Sequence, residues 1–207
     1  MKDSENVDIK MPNDLKKCVE FHGHLCPGLV YGYRVAKEAM NLLEINRSRD
    51  EEVVAVSEND SCAVDALQVL LGTSAGKGNL ILKDYGKNAY TVLNRKSKTA
   101  YRFSRKKKYR YEGQSIGEKD EFTRLDAAIS SGTATEAAKR RHKMLKSQDL
   151  LLRPFDDIFS TEKTDREMPP YAPLARSEAC AKCGEMTMST KMIQAENGEY
   201  LCIPCAS

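Results

Sequence analysis

Two cysteine pairs close the sequence, Cys180-Ala181-Lys182-Cys183 and Cys202-Ile203-Pro204-Cys205, with eighteen residues between them. No other stretch restricts the possible folds so tightly. Four thiols at this spacing suit one tetrahedral zinc ion. Gly184 permits a tight turn after the first pair, and Glu199-Tyr200-Leu201 leads as a strand into the second. A stretch of roughly thirty residues buries too little apolar surface to fold unaided, so the metal supplies the missing stability. The expectation is a small zinc-ribbon or treble-clef module at residues 177–207, with Zn2+ held by Cys180, Cys183, Cys202 and Cys205. Four protein ligands leave no open coordination position, so this zinc is structural. A redox dithiol pair is the competing use of the two motifs. From Arg176 onward there are three basic residues and four acidic ones, a net of −1. That favours a protein partner or a purely structural role over nucleic acid.

The second anchor is Phe21-His22-Gly23-His24-Leu25-Cys26-Pro27-Gly28, which holds two of the three histidines of the chain. Imidazole and thiolate together suit zinc and other borderline transition metals. Pro27 fits the first position of a helix, which places Cys26 at or beside the N-cap. Free N–H groups and the positive end of the helix dipole would stabilise a thiolate there. The stretch therefore reads as a metal site or a reactive thiol, with ordinary turn and core residues as the bland alternative.

The 207 residues allow one ordinary domain and a smaller unit. Residues 1–12 read as a leader, and Asn13 caps a helix to about Phe21. The steps Leu29, Tyr33, Ala36, Met40 and Leu43 give one face of a second helix. Gly28 and Gly32 sit four apart on it, which implies close approach of another element. Val53-Val54-Ala55-Val56 is a strand. Glu58 to Cys62 opens a third helix, capped by Asp60 or Ser61, with Val64, Leu67 and Leu71 inside and Gly72 as its stop. Cys62 thus shares the setting of Cys26, and two cysteines at two helix starts are well placed to converge on one ion. A small buried hydrophobe is the other reading of such a cysteine.

Residues 72–79 fail as a nucleotide P-loop, because no serine or threonine follows Lys77 and a strand follows the loop. The loop can still offer N–H groups to an anion, with Gly76, Lys77 and Asn79 as candidate binding residues. Residues 80–82, 89–93 and 99–103 read as three successive strands joined by short turns, which favours antiparallel neighbours. Nine lysines and arginines and no acid lie between Arg95 and Arg110, interleaved with Tyr101, Phe103 and Tyr109. Such a run is a nucleic-acid surface or a solvated edge strand guarded by its lysines, and the edge strand is preferred. Asp120–Ser130 and a helix capped by Thr133 with Glu136 form a helical arm over about 118–153, a plausible homodimer element. His142 lies on its charged surface. Residues 154–176 carry four of the seven prolines and read as a linker.

The expected fold is therefore α+β: residues 1–153 with a small mixed or antiparallel sheet flanked by helices, a linker, and the zinc module. The net charge of +3 is too small to imply nucleic acid. The polar start and the lack of a long apolar run point to a cytoplasmic chain off the membrane.

Taken together, the residues resemble the FmdE family, named for a component of formylmethanofuran dehydrogenase. The resemblance rests on the His/Cys stretch with Gly32-Tyr33-Arg34, on Asp60-Ser61-Cys62 with Asp65-Ala66-Leu67-Gln68, and on Gly72-Thr73 with Gly76-Lys77-Gly78-Asn79-Leu80. It implies His22, His24, Cys26 and Cys62 as ligands of a second transition metal, Zn2+ by preference, with either histidine open as the binder. It also implies a pocket lined by the Gly72–Asn79 loop and a place in one-carbon or oxidoreductase metabolism as an accessory, metal-carrying or ligand-binding component. If the chain is itself an enzyme, metal-assisted chemistry or Cys26 as nucleophile with His24 as base would carry it. The rival is a zinc-module adaptor that recruits a protein or nucleic acid and catalyses nothing.

Overall fold

Val53-Val54-Ala55-Val56 is apolar at every position because the strand it forms is covered on both faces. Val53 and Ala55 face one core with Tyr90, Val92 and Phe103. Val54 and Val56 face the other side with Leu93 and Ala100, under Met168. In the computed structural model, which describes residues 11–207, this strand lies inside a five-stranded mixed sheet.

The elements run in the order α1 (Asn13–His22), α2 (Pro27–Leu42), β1 (Val53–Ser57), α3 (Ala63–Leu71), β2 (Leu80–Leu82), β3 (Ala89–Asn94), β4 (Thr99–Arg105), α4 (Ile116–Ser130), α5 (Glu136–Leu152), α6 (Phe155–Ile158) and β5 (Phe159–Thr164). Strand order is β2-β1-β3-β4-β5. Helices α1 to α3 cover one face, with Leu150 and Phe159 completing that core. The fold is α+β, as expected.

Three features differ from the sequence reading. First, β2 does not pair with β3. It runs parallel to β1, with Ala55 opposite Leu80, so β1-α3-β2 is a parallel crossover unit. Second, residues 154–170 are not linker. Phe159 to Thr164 pairs antiparallel with β4 from Arg105 to Ala100. The following chain is tied back by Arg95, whose guanidinium donates to the carbonyls of Pro169 at 2.6 Å and Pro170 at 3.1 Å. Polar residues suit this strand because it is an edge. Third, three caps move: Cys62, not Asp60 or Ser61, stands at the N-cap of α3, with no side-chain cap bond. Pro12 takes the N-cap of α1, with no side-chain cap. Thr135, not Thr133, accepts the Ala138 N–H at 3.2 Å, because the Thr133 hydroxyl is turned back to the Ala128 carbonyl. Most of the stretch read as a leader, residues 1–10, lies outside the described residues.

The α4–α5 hairpin forms as expected. It is joined by a bidentate Arg141–Glu121 pair and by a stack of Tyr111, Phe122 and His142, with ring centroids 4.0 and 4.4 Å apart. None of the described helices is long and apolar enough to cross a membrane.

Residues 171–207 form a separate compact unit. It holds two small antiparallel hairpins, β6 (Ser177–Ala179) with β7 (Met186–Met188) and β8 (Met192–Gln194) with β9 (Tyr200–Cys202), followed by the single turn α7 (Ile203–Ala206).

Candidate metal centre

Helix ends build the first site. Gly23 stops α1 in the left-handed conformation at φ 92°, so the chain turns directly from His22 toward α2. Cys26 is the N-cap of α2, as its place before Pro27 requires, and its Sγ accepts the Leu29 N–H at 3.4 Å. Helix α3 arrives alongside because Gly32 has no side chain: a Cβ there would lie 2.0 Å from the Ala63 carbonyl oxygen. This is the close approach that the Gly28/Gly32 spacing implied.

His22, His24 and Cys26 each offer a donor atom, and these atoms lie within 4.8 Å of one another. The two histidines have distinct environments. His22 Nε2 is 3.6 Å from Cys26 Sγ, while its Nδ1 is 2.7 Å from Asp65 Oδ2. Asp65 sits in the first turn of α3, and its other oxygen accepts from Gln68 Nε2 at 3.1 Å. His24 is exposed, and its ring is 4.7 Å from that of His22. Cys62 stands at the N-cap of α3, outside this three-residue group, with its thiol against Cys26. Burial, then the neighbouring Cys26, pushes the Cys62 thiol above its usual range.

The donor set fits zinc. Ligand bonds of about 2.0–2.3 Å put tetrahedral donors roughly 3.3–3.8 Å apart, close to the Cys26–His22 separation. A carboxylate on the far nitrogen of a ligating histidine fixes tautomer and ring orientation and raises basicity, which is the role open to Asp65. The same line of Cys26, His22 and Asp65 also has the order of a thiol, base and orienting acid. The base facing Cys26 is His22 rather than His24. Asp65 was visible in the motif that carries the resemblance, but its role was not, because sequence distance gives no hint that it meets His22.

The Gly72–Asn79 loop is stapled from within. Lys77 Nζ donates to the carbonyls of Asp50, at 3.0 Å, and Gly72. The fully buried Asn79 side chain accepts from Ser74 N and donates to the carbonyls of Asp50 and Val53. A Cβ at Gly76 would meet nothing. These polar groups are spent on loop shape. The loop still borders a groove of about 730 Å³ with an apolar wall from Phe21, Met40, Val69 and Leu70. Phe21 and Gln68 bring that groove to the neighbours of His22 and Asp65.

The second site gathers Cys180, Cys183, Cys202 and Cys205, with sulfurs within 4.8 Å of one another. Cys183 and Cys202 sulfurs are 3.9 Å apart, and the Cys202 N–H points at Cys180 Sγ at 3.3 Å. The N–H groups of Cys183 and Cys202 pull the Cys180 thiol down to about 6. Backbone donors aimed at a sulfur favour thiolate, the form that binds zinc.

A His/Cys cluster at two helix starts, in a domain built on a five-stranded mixed sheet and followed by a four-cysteine unit, defines an α+β protein with two separate donor clusters that could each hold a metal ion. A family model described as FmdE, molybdenum formylmethanofuran dehydrogenase operon, matches residues 21–163, from the residue before His22 into β5. That is well over half of the chain, and the chain belongs to this family. A "probable S-adenosyl-L-methionine-binding protein" of Archaeoglobus fulgidus is 28% identical over 97% of the chain, and the chain spans about half, 54%, of that relative's length. The crystal structure of a tungsten formylmethanofuran dehydrogenase FmdE-like protein from Syntrophus aciditrophicus has the same fold, with TM-score 0.55 and 18% identity over 92% of this chain and 89% of that one.

Proposed function

We propose that the protein binds a divalent transition metal, zinc by preference, at His22, His24 and Cys26, and serves as a metal-carrying or ligand-binding accessory protein. The observation that carries this reading is the double engagement of His22, with Nε2 on Cys26 and Nδ1 on Asp65. Three protein ligands leave one position for water or a small ligand, which the metal would polarise when bound. His22, His24 and Cys26 supply the donors, Asp65 holds the His22 ring, and Cys62 stands beside Cys26 as a further thiol. The groove next to the site is of a size that suits one small organic ligand. A nucleoside-type molecule such as S-adenosyl-L-methionine, named for the Archaeoglobus relative, is the first ligand to titrate. The four-cysteine unit holds structural zinc.

Metal content per chain, by elemental analysis of wild type and Cys26→Ala, tests the reading. Two ions in the wild type and one in the variant support it. One ion in both removes the first metal and leaves a thiol site, which iodoacetamide would then mark by fast alkylation of Cys26.

A second reading, a docking module, has its own observation: Met186, Met188, Ile193 and Tyr200 are exposed on the four-cysteine unit. Such apolar exposure suits a protein partner better than nucleic acid.

A further inference from the structure

The basic run after β4 is not used by the metal site, and the structure gives it a shape. Its backbone is pinned, with Arg105 N donating to the Asn88 carbonyl at 2.9 Å and Lys106 N to the Ile158 carbonyl at 3.0 Å. Further along, the Tyr109 hydroxyl donates to the buried Asp149 at 2.6 Å. The lysines between these anchors therefore project from a fixed ridge rather than a loose loop. A hollow lies on each side of it.

The hollow beside the β2–β3 connection, about 390 Å³, is bordered by Lys87, Ser104, Arg105, Lys106, Lys107 and Lys108, and no acid lines it. The acid behind its wall, Glu58, is already held by Arg102 through two bonds of 2.8 and 2.9 Å. Lys107 and Lys108 form no ion pair among the described residues, while Lys87 acts on Glu58 at longer range. The hollow on the opposite side, about 560 Å³, shares the lysines but adds Glu112, Asp156 and Asp157. That hollow also carries Arg110 and Arg153, but its three acids make it less favourable to an anion than the acid-free one.

We infer that this acid-free hollow binds the phosphate chain of a small phosphorylated ligand, of the di- or triphosphate class. Several ammonium groups around one concavity, with the Ser104 hydroxyl as donor, match clustered phosphate oxygens. Single-stranded nucleic acid is disfavoured because the aromatic faces along the ridge are taken. Tyr31 is covered by Arg105 at 5.4 Å, Tyr109 by Lys146 at 4.4 Å, and Tyr111 stacks on Phe122. None of these three rings is free to stack on a base.

The test is calorimetric titration of the full chain with inorganic tripolyphosphate at low ionic strength. Lys107→Glu/Lys108→Glu reverses two exposed side chains that make no hydrogen bond, so the fold should persist. Lys96→Glu/Lys98→Glu in the β3–β4 turn, at the opposite end of β4, makes the same change in net charge away from the ridge. The expected result is binding that weakens with added salt, an affinity loss of at least tenfold in the first variant, and less than twofold in the second. No binding by wild type would overturn the proposal. Equal losses in the two variants, which mean a response to net charge alone, would also overturn it. So would tighter binding of a single-stranded oligonucleotide than of tripolyphosphate.

Discussion

Replacing Gly32 by alanine asks whether the approach of α2 to α3 sets both stability and the His/Cys geometry. The new Cβ would sit 2.0 Å from the Ala63 carbonyl oxygen and 2.6 Å from its Cα. Ordinary contact begins near 3.4 Å, so the helices must part by 3.4 − 2.0, about 1.4 Å. The obstacle is backbone, and no rotamer relieves it. Alanine returns about 1 kcal/mol of helix propensity. Overpacking costs about 1–3 kcal/mol and more where nothing can yield, so the net loss expected is about 2 kcal/mol. For a domain of this size that lowers Tm by about 4–8 °C. Gly28→Ala is the control: its Cβ would be 3.0 Å from Cys62 Cβ, a deficit of only a few tenths of an ångström, and should cost less than about 1 kcal/mol. Because Asp65, which holds the His22 ring, is carried on α3, Gly32→Ala should also weaken metal binding at the first site and leave the four-cysteine site alone. Thermal unfolding by circular dichroism and chelator competition read the two effects. A Gly32→Ala protein as stable as wild type, or indistinguishable from Gly28→Ala, would refute the reasoning.

Three further outcomes follow from single contacts. Asp65→Asn should lower metal affinity at the first site by about 10–100-fold, measured against a chromophoric chelator, with the circular dichroism spectrum unchanged. Glu58→Gln breaks the largely buried pair with Arg102 and should cost about 3 kcal/mol at pH 7 in urea unfolding. The bond to Arg102 holds the Glu58 carboxyl below its usual value. Its stabilisation is complete above the unfolded carboxylate range near about 4.3 and lost as pH falls through the lower native value, so the variant and wild type should converge in acid. Stripping zinc with a strong chelator should expose residues 171–207 to protease while residues 11–170, which have their own apolar core, stay resistant; loss of both together would show that the sheet domain also depends on bound metal.

Local chemistry made much of the chain readable. Pro27 fixed the start of α2 and hence Cys26 as its cap. Gly72, left-handed at φ 70°, ended α3 where expected. Gly28 and Gly32 announced a close helix contact, and the two CxxC pairs announced a cluster. What was not readable depends on partners far along the chain. Short spacing suggested β2 against β3, yet β2 is drawn beside β1 because α3 acts as a crossover. Phe159 to Thr164 looked like linker because an edge strand tolerates polar residues and the prolines around it read as breaks. Likewise, Asp65 and His22 are 43 residues apart, and only the packing of α3 against α1 and α2 brings them together.

Because the first site is built from helix ends, its occupancy and the stability of the sheet domain are linked. Zinc at about 100 times its dissociation constant should stabilise the native state by about 2.7 kcal/mol. A tenfold weaker site, the smaller effect expected for Asp65→Asn, removes about 1.4 kcal/mol of that at the same zinc concentration. The tail cluster binds metal too, so global unfolding would mix two ions. Hydrogen exchange at amides of β1 and β3 isolates the domain that carries His22. Protection there should rise with zinc in wild type and rise much less in Asp65→Asn, while zinc-free proteins of both kinds should match closely. If zinc protected β1 and β3 equally in both, the His22–Asp65 contact would be a fold contact alone, and Asp65 would have no part in holding a metal ligand.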